Sequence, residues 1–197
     1  MTFEIRPLTA ETWDALAALF REGGDPRWCW CQHWRLRSKD MAVAKVAQLR
    51  ERLHEQASSD QPPGLVAFDG ERAVGWVSLG PRTDFERIVR SRVIPTIDDR
   101  PVWSIVCFAV SATARGQGVA RALLDAAIEH ARARGAQALE AYPIAIEDGE
   151  TIHPDAVFTG PLPMFERAGF TVVADRASDP SSSRRRVVVR RELAPPA

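Results

Sequence analysis

An apolar run from Trp103 to Val110 empties into a glycine loop, and a strongly amphipathic segment follows directly. Nearly every residue of the run is apolar or small, the pattern of a strand buried on both faces. Beyond the loop, Ala120, Leu123, Leu124, Ala127, Ile128 and Ala131 recur at helical spacing on one face. Gly116 and Gly118 remove side chains where strand becomes helix, so the free N–H groups of the first turn can face an anion. The helix dipole favours negative charge at that end. Strand, glycine turn and helix in this order predict an α/β fold with a phosphate-holding turn, or, more plainly, a helix that starts after a glycine.

The loop is neither of two familiar phosphate motifs. It ends Gly-Val-Ala, without the Lys-Ser/Thr of a nucleotide-triphosphate loop, and Arg121 stands where a dinucleotide fingerprint needs a third glycine. Arg115-Gly116-Gln117-Gly118-Val119-Ala120 instead resembles the Q/R-x-x-G-x-G/A signature of the GCN5-related N-acetyltransferase (GNAT) superfamily. Met164-Phe-Glu-Arg-Ala-Gly169-Phe170 is similar to the closing helix and turn of that family, with Gly169 as the residue after the helix. The resemblance covers roughly residues 64–193 by motif and the first 63 by general layout.

That resemblance implies an α/β fold with a mixed, mostly antiparallel central sheet flanked by helices, in one domain over residues 1–194 with a tail at 195–197. It implies acetyl-CoA as co-substrate, held by the backbone of Phe108 and Val110 and by the turn Arg115, Gly116, Gln117, Gly118, Val119 and Ala120. The implied reaction is direct attack of a primary amine of a small molecule or peptide on the thioester, in a ternary complex. A homodimer is the default assembly by the same resemblance. The rival reading is a silent acyl-CoA-binding sensor or scaffold. One departure favours it: Phe165 stands where the family often has a tyrosine that serves as acid.

The remaining elements are read from pattern. A strand over Phe3–Pro7 precedes a helix from about Glu11, and a second helix is expected over Lys39–Ser58 with Ala42, Val46, Leu49 and Leu53 inward. Leu65–Phe68, Asp69-Gly70 and Ala73–Leu79 predict a hairpin. The insertion 81–101 is expected to hold a short helix at Phe85–Val93. Strands follow at Ala136–Tyr142 and Arg186–Leu193.

Alternation on the strand ending at Tyr142 places Glu140 and Tyr142 on one face as candidate base and acid. A salt-bridged Glu140 is the competing reading. In Trp28-Cys-Trp-Cys-Gln-His-Trp34 an extended chain would point Cys29, Cys31 and His33 one way, yet three ligands without a fourth do not make a metal site. The three tryptophans suggest an apolar wall, and the GNAT resemblance implies that this region, with Trp28, Trp30 and His33, lines the acceptor pocket; a tryptophan core is the alternative. The acidic segment Pro143–Asp155 and Arg184–Arg186 offer an amine-attracting loop and a phosphate contact, or simply solvated turns.

Composition narrows the partners. Lys plus Arg and Asp plus Glu are both 26, and the three cysteines are an odd number. A balanced charge argues against nucleic acid or an anionic membrane surface. No stretch has the length to span a bilayer, and the cysteine count fits a reducing compartment, so a cytoplasmic location is expected.

Overall fold

The computed structural model describes residues 2–24, 26–145, 158–176 and 186–193. The expected acidic-loop residues Glu147, Asp148, Glu150, His153 and Asp155, and the turn residues Arg184 and Arg185, lie outside these. Seven strands form one sheet: β1 (Glu4–Pro7), β2 (Gly64–Asp69), β3 (Arg72–Pro81), β4 (Trp103–Val110), β5 (Ala138–Ala141), β6 (Thr171–Arg176) and β7 (Arg186–Glu192). Their order is β1-β2-β3-β4-β5-β7-β6, and every pairing is antiparallel except β4 with β5. Helices α1 (Trp13–Arg21), α2 (Pro26–Cys29), α3 (Ser38–Val43), α4 (Val46–Ala57), α5 (Glu86–Val89), α6 (Val119–Ala133) and α7 (Leu162–Arg167) flank it.

Strand alternation divides the core between the two faces. Val77, Ile105, Leu123, Leu124, Ile128 and Phe165 belong to one buried cluster, whereas Trp76, Val106, Leu16, Phe20, Leu49 and Leu53 belong to the other. The 15-residue α6 approaches closely because position 75 is glycine: a Cβ there would stand 2.5 Å from Val119 Cγ1. No helix of the described residues is long and apolar enough to cross a membrane.

Three expected elements form differently. The helix expected over 39–58 breaks at Ala44 and Lys45, both extended, and α4 restarts on the reciprocal bonds between Lys45 and Gln48. Leu49 and Leu53 are buried, but Val43 and Val46 are exposed, so no continuous apolar face holds the first turn against the core. The helix of the insertion shrinks to the single turn of α5. Around Trp28–Trp34 the chain is not extended: α2 ends at Cys29, and Trp30 and Cys31 take left-handed conformations with φ of 45° and 54°.

Candidate active site

The parallel pair β4–β5 is the origin of the site. Only Trp103, Ser104 and Ile105 pair with β5, so β4 runs on to Val110 with one edge parted from its neighbour. Peptide groups along that edge are the ones expected to receive an extended ligand. One is already engaged, for the Phe108 N–H donates to the Phe158 carbonyl at 2.6 Å.

Where β4 ends, a single turn at Ala112–Ala114 leads into Arg115, and Gly116 and Gly118 adopt φ of 75° and 88°. Side chains rarely adopt that conformation, and a Cβ at either glycine would meet nothing within 4 Å. The turn is thus both glycine-dependent and open. Gly118 is the N-cap of α6 with no side-chain bond over the helix end, leaving the first-turn amides for an incoming group. Gln117 folds back, donating from Nε2 to the Thr113 carbonyl at 2.9 Å, and Val119 is buried in the core, so both contribute main chain to the turn.

A cavity of about 660 Å³ joins this turn to the opposite wall. Phe108, Val110, Arg115 and Ala120 line it on the loop side, and Trp28, Cys29, Cys31, His33 and Trp34 on the other. Of the residues expected in an acceptor wall, Trp28 and His33 line this cavity and Trp30 does not. The left-handed turn at 30–31 swings its indole into the core, where it packs on Trp13 and Phe20 at centroid distances of 5.8 and 5.4 Å. The same turn buries Cys31, whose Sγ accepts from Trp76 Nε1 and lies 3.9 Å from Cys107 Sγ. No metal-holding cluster of His, Cys, Asp and Glu occurs among the described residues.

Glu140 and Tyr142 do share a face, and the Tyr142 hydroxyl donates to Glu140 Oε2 at 3.1 Å. Neither lines the cavity. The expectation of a base and acid there is corrected by their partners: Arg190 Nη2 stands 2.6 Å and Arg82 Nη1 3.6 Å from the Glu140 carboxylate. Arg190 also binds Asp98 at 2.5 Å, tying the insertion to the sheet. Glu140 and Tyr142 are fully buried, and burial together with the Glu140 charge pushes the Tyr142 hydroxyl far above its ordinary range. Phe165 is also fully buried, against Phe108 and Phe170, and is not on the cavity wall.

Sequence reasoning missed Glu22, the one carboxylate on the cavity wall among the described residues. Ser111 Oγ donates to it at 2.6 Å and Arg72 Nη2 at 2.8 Å, and these bonds hold its pKa below the ordinary value. Ser111 lies 89 positions away, so no local pattern could have joined them.

His33 has the opposite character. Burial, reinforced by Arg87 and Arg186, lowers its pKa to about 4. Its folded pKa lies below the unfolded value near 6.5, so the unfolded chain binds the proton first as pH falls. Stability is accordingly lost between about pH 6.5 and 4, by about 1–3 kcal/mol. His33→Gln should flatten that part of the difference between acid and neutral unfolding midpoints in urea; an unchanged difference would show that His33 is not the group responsible.

A sequence model of the acetyltransferase (GNAT) family matches residues 13–148, more than half of the chain. The chain belongs to the GNAT acetyltransferase family. Solved GNAT-fold structures agree with it along nearly its whole length. A GNAT-family acetyltransferase from Streptococcus pneumoniae is 18% identical, with 98% of this chain and 100% of that one covered and a TM-score of 0.56. A Corynebacterium glutamicum structure described as histone acetyltransferase HPA2 and related acetyltransferase is 23% identical (100% and 99% covered, TM-score 0.55). PaiA N-acetyltransferase from Thermoplasma acidophilum, solved with coenzyme A, is 15% identical (98% and 100% covered, TM-score 0.52). No curated protein matches this sequence. As a GNAT protein the chain is an acyltransferase, and acetyl-CoA is the acyl donor of its family.

Proposed function

We propose that this GNAT protein transfers an acetyl group from acetyl-CoA to a primary amine of a small molecule or peptide, by direct attack while donor and acceptor are bound together. The observation that carries this reading is the continuity of the cavity, which runs from the Trp28–Trp34 wall to Arg115 and Ala120 at the glycine turn. Donor and acceptor then share one cavity, where positioning replaces a bimolecular encounter.

The residues present fit the donor. In this reading the amides at the start of α6 hold the diphosphate, Arg115 adds charge beside them, and the Val110 backbone holds the extended arm. Acetyl-CoA supplies an acyl group already activated as a thioester. On the acceptor side, Trp28, Trp34 and Phe158 offer apolar surface, and Glu22, its orientation fixed by Ser111 and Arg72, takes the proton that the amine gives up as the C–N bond forms and the thioester C–S bond breaks, the departing thiolate being protonated from water. Glu22 replaces Glu140 in that role because Glu140 is spent on two arginines away from the cavity.

The engaged Phe108 amide favours a second reading, in which acyl-CoA binds and no transfer follows. Thiol release from acetyl-CoA across a panel of amines, amino acids and peptide N-termini, with calorimetric binding on the same protein, separates the two. Acceptor-dependent release is expected. Saturable binding with no release on any acceptor would leave the silent binder, and no binding would overturn both.

A further inference from the structure

Three sulfurs converge on one wall of the cavity. Cys29 ends α2, Cys31 occupies the second left-handed position of the turn after it, and Cys107 lies on β4 beside Phe108; all three line the cavity. All three are free thiols. Cys31 Sγ donates to Cys107 Sγ at 3.9 Å, across 76 positions of chain. Trp76 Nε1 donates to Cys31 Sγ at 3.0 Å, and a further hydrogen bond joins Cys29 to Cys31.

The backbone on both sides of the closest pair is fixed. Trp30 and Cys31 adopt φ of 45° and 54°, which residues other than glycine rarely do, and such conformations persist where the surrounding packing over-determines them. Cys107 is held by the pairing of β4 with β3, where it registers with Ser78. Two sulfurs already in contact, each on a constrained backbone, need to close by only about 2 Å to form a disulfide. Cys31 and Cys107 are buried from the outer surface but line the cavity, so an oxidant small enough to enter it reaches both.

We propose that Cys31 and Cys107 form an oxidative modification site on the cavity wall, converted by hydrogen peroxide to an intrachain disulfide that ties the left-handed turn to β4. The Cys107 sulfur, as thiolate, attacks one peroxide oxygen; the O–O bond breaks, and the departing hydroxide with the Cys107 proton makes water, leaving a sulfenic acid. Cys31 then attacks that sulfur, the S–O bond breaks, and the hydroxyl leaves with the Cys31 proton as a second water. Two thiols are oxidised by two electrons and one peroxide is reduced. The order of attack follows from the hydrogen bond: bonding to Cys107, together with burial, holds the Cys31 thiol well above its ordinary pKa, so Cys31 is the resolving partner.

The test treats the fully reduced protein with hydrogen peroxide, alkylates the remaining thiols and maps the peptides without reduction. Of the three thiols, Cys29 should stay alkylatable, and the peptides carrying Cys31 and Cys107 should appear joined, lighter than their sum by two hydrogens. The joined form should melt roughly 4–16 °C higher than the reduced protein, since a bond across so long a loop restricts the unfolded chain, and dithiothreitol should reverse both changes. Cys29→Ser should leave the joined peptides and the melting shift in place, and Cys107→Ser should abolish them. Should Cys107→Ser fail to fold, the wild-type map and Cys29→Ser still decide the matter. Three intact thiols after peroxide would leave a packed pair of core cysteines and overturn the site. So would a bond between Cys29 and Cys31, oxidation of Cys29 alone, or a disulfide between chains. A Cys31–Cys107 bond that lowered the melting temperature would show that the wall must distort to close it, and would equally overturn a pair poised to react. None of these readouts depends on acetyl transfer, so a failure of that activity and a failure of this site are distinguishable.

Discussion

Gly118→Trp should lose at least about a hundredfold in affinity for acetyl-CoA, because two or more charge-assisted bonds to the diphosphate are forfeited together. The turn at Gly118 has φ of 88° and open space where a Cβ would stand, so an indole would project from the helix end into the volume proposed for the diphosphate. A non-glycine residue also costs about 1–2 kcal/mol in that left-handed conformation, which lowers the melting temperature by roughly 2–8 °C in a protein of this size. Gly118→Ala separates the two effects. Alanine carries the same conformational penalty but little bulk, so it should show the melting shift while retaining measurable binding by calorimetry. Equal affinity losses in both variants would mean that backbone strain, and not obstruction, governs the site.

The second large effect concerns stability. Glu140→Ala should cost about 3–5 kcal/mol, because it leaves Arg82 without its carboxylate at a fully buried position and leaves Arg190 with Asp98 alone. The melting temperature should then fall by roughly 6–20 °C. Glu140→Gln, which preserves shape and hydrogen bonding but not charge, should lie between that variant and the wild type. The pH profile of acetyl transfer should keep its shape in the folded Glu140→Gln protein, since the carboxylate is not on the cavity wall. A profile that lost its acid limb with no change in stability would restore Glu140 as the proton acceptor.

Glu140 shows where local reading stops. Alternation along β5 put it beside Tyr142, and the two do hydrogen-bond. Two carboxylate partners, Arg190 and Arg82, arrive from 50 and 58 positions away, and nothing in a strand's own pattern announces them. Arg190 comes from β7, which is antiparallel to β5 and registers Arg190 opposite Glu140. The same limit explains Trp30. Alternation in Trp28–Trp34 assumed an extended chain, but two successive left-handed residues turned one tryptophan into the core and left the other two at the cavity. Aromatic composition alone carries no information about that turn.

The run from Trp103 to Ala131 by itself determined the strand, the glycine turn and the helix after it, because each depends on contacts within a few residues: pleat alternation, positive φ at glycine, and a 3.6-residue apolar face. The closing motif at 164–170 was legible for the same reason. Tertiary structure alone decided which titratable groups meet. It spent Glu140 on arginines, brought Ser111 to Glu22, and set Cys31 against Cys107. Charges act over distances set by folding rather than by sequence, and their worth depends on burial that no linear pattern records.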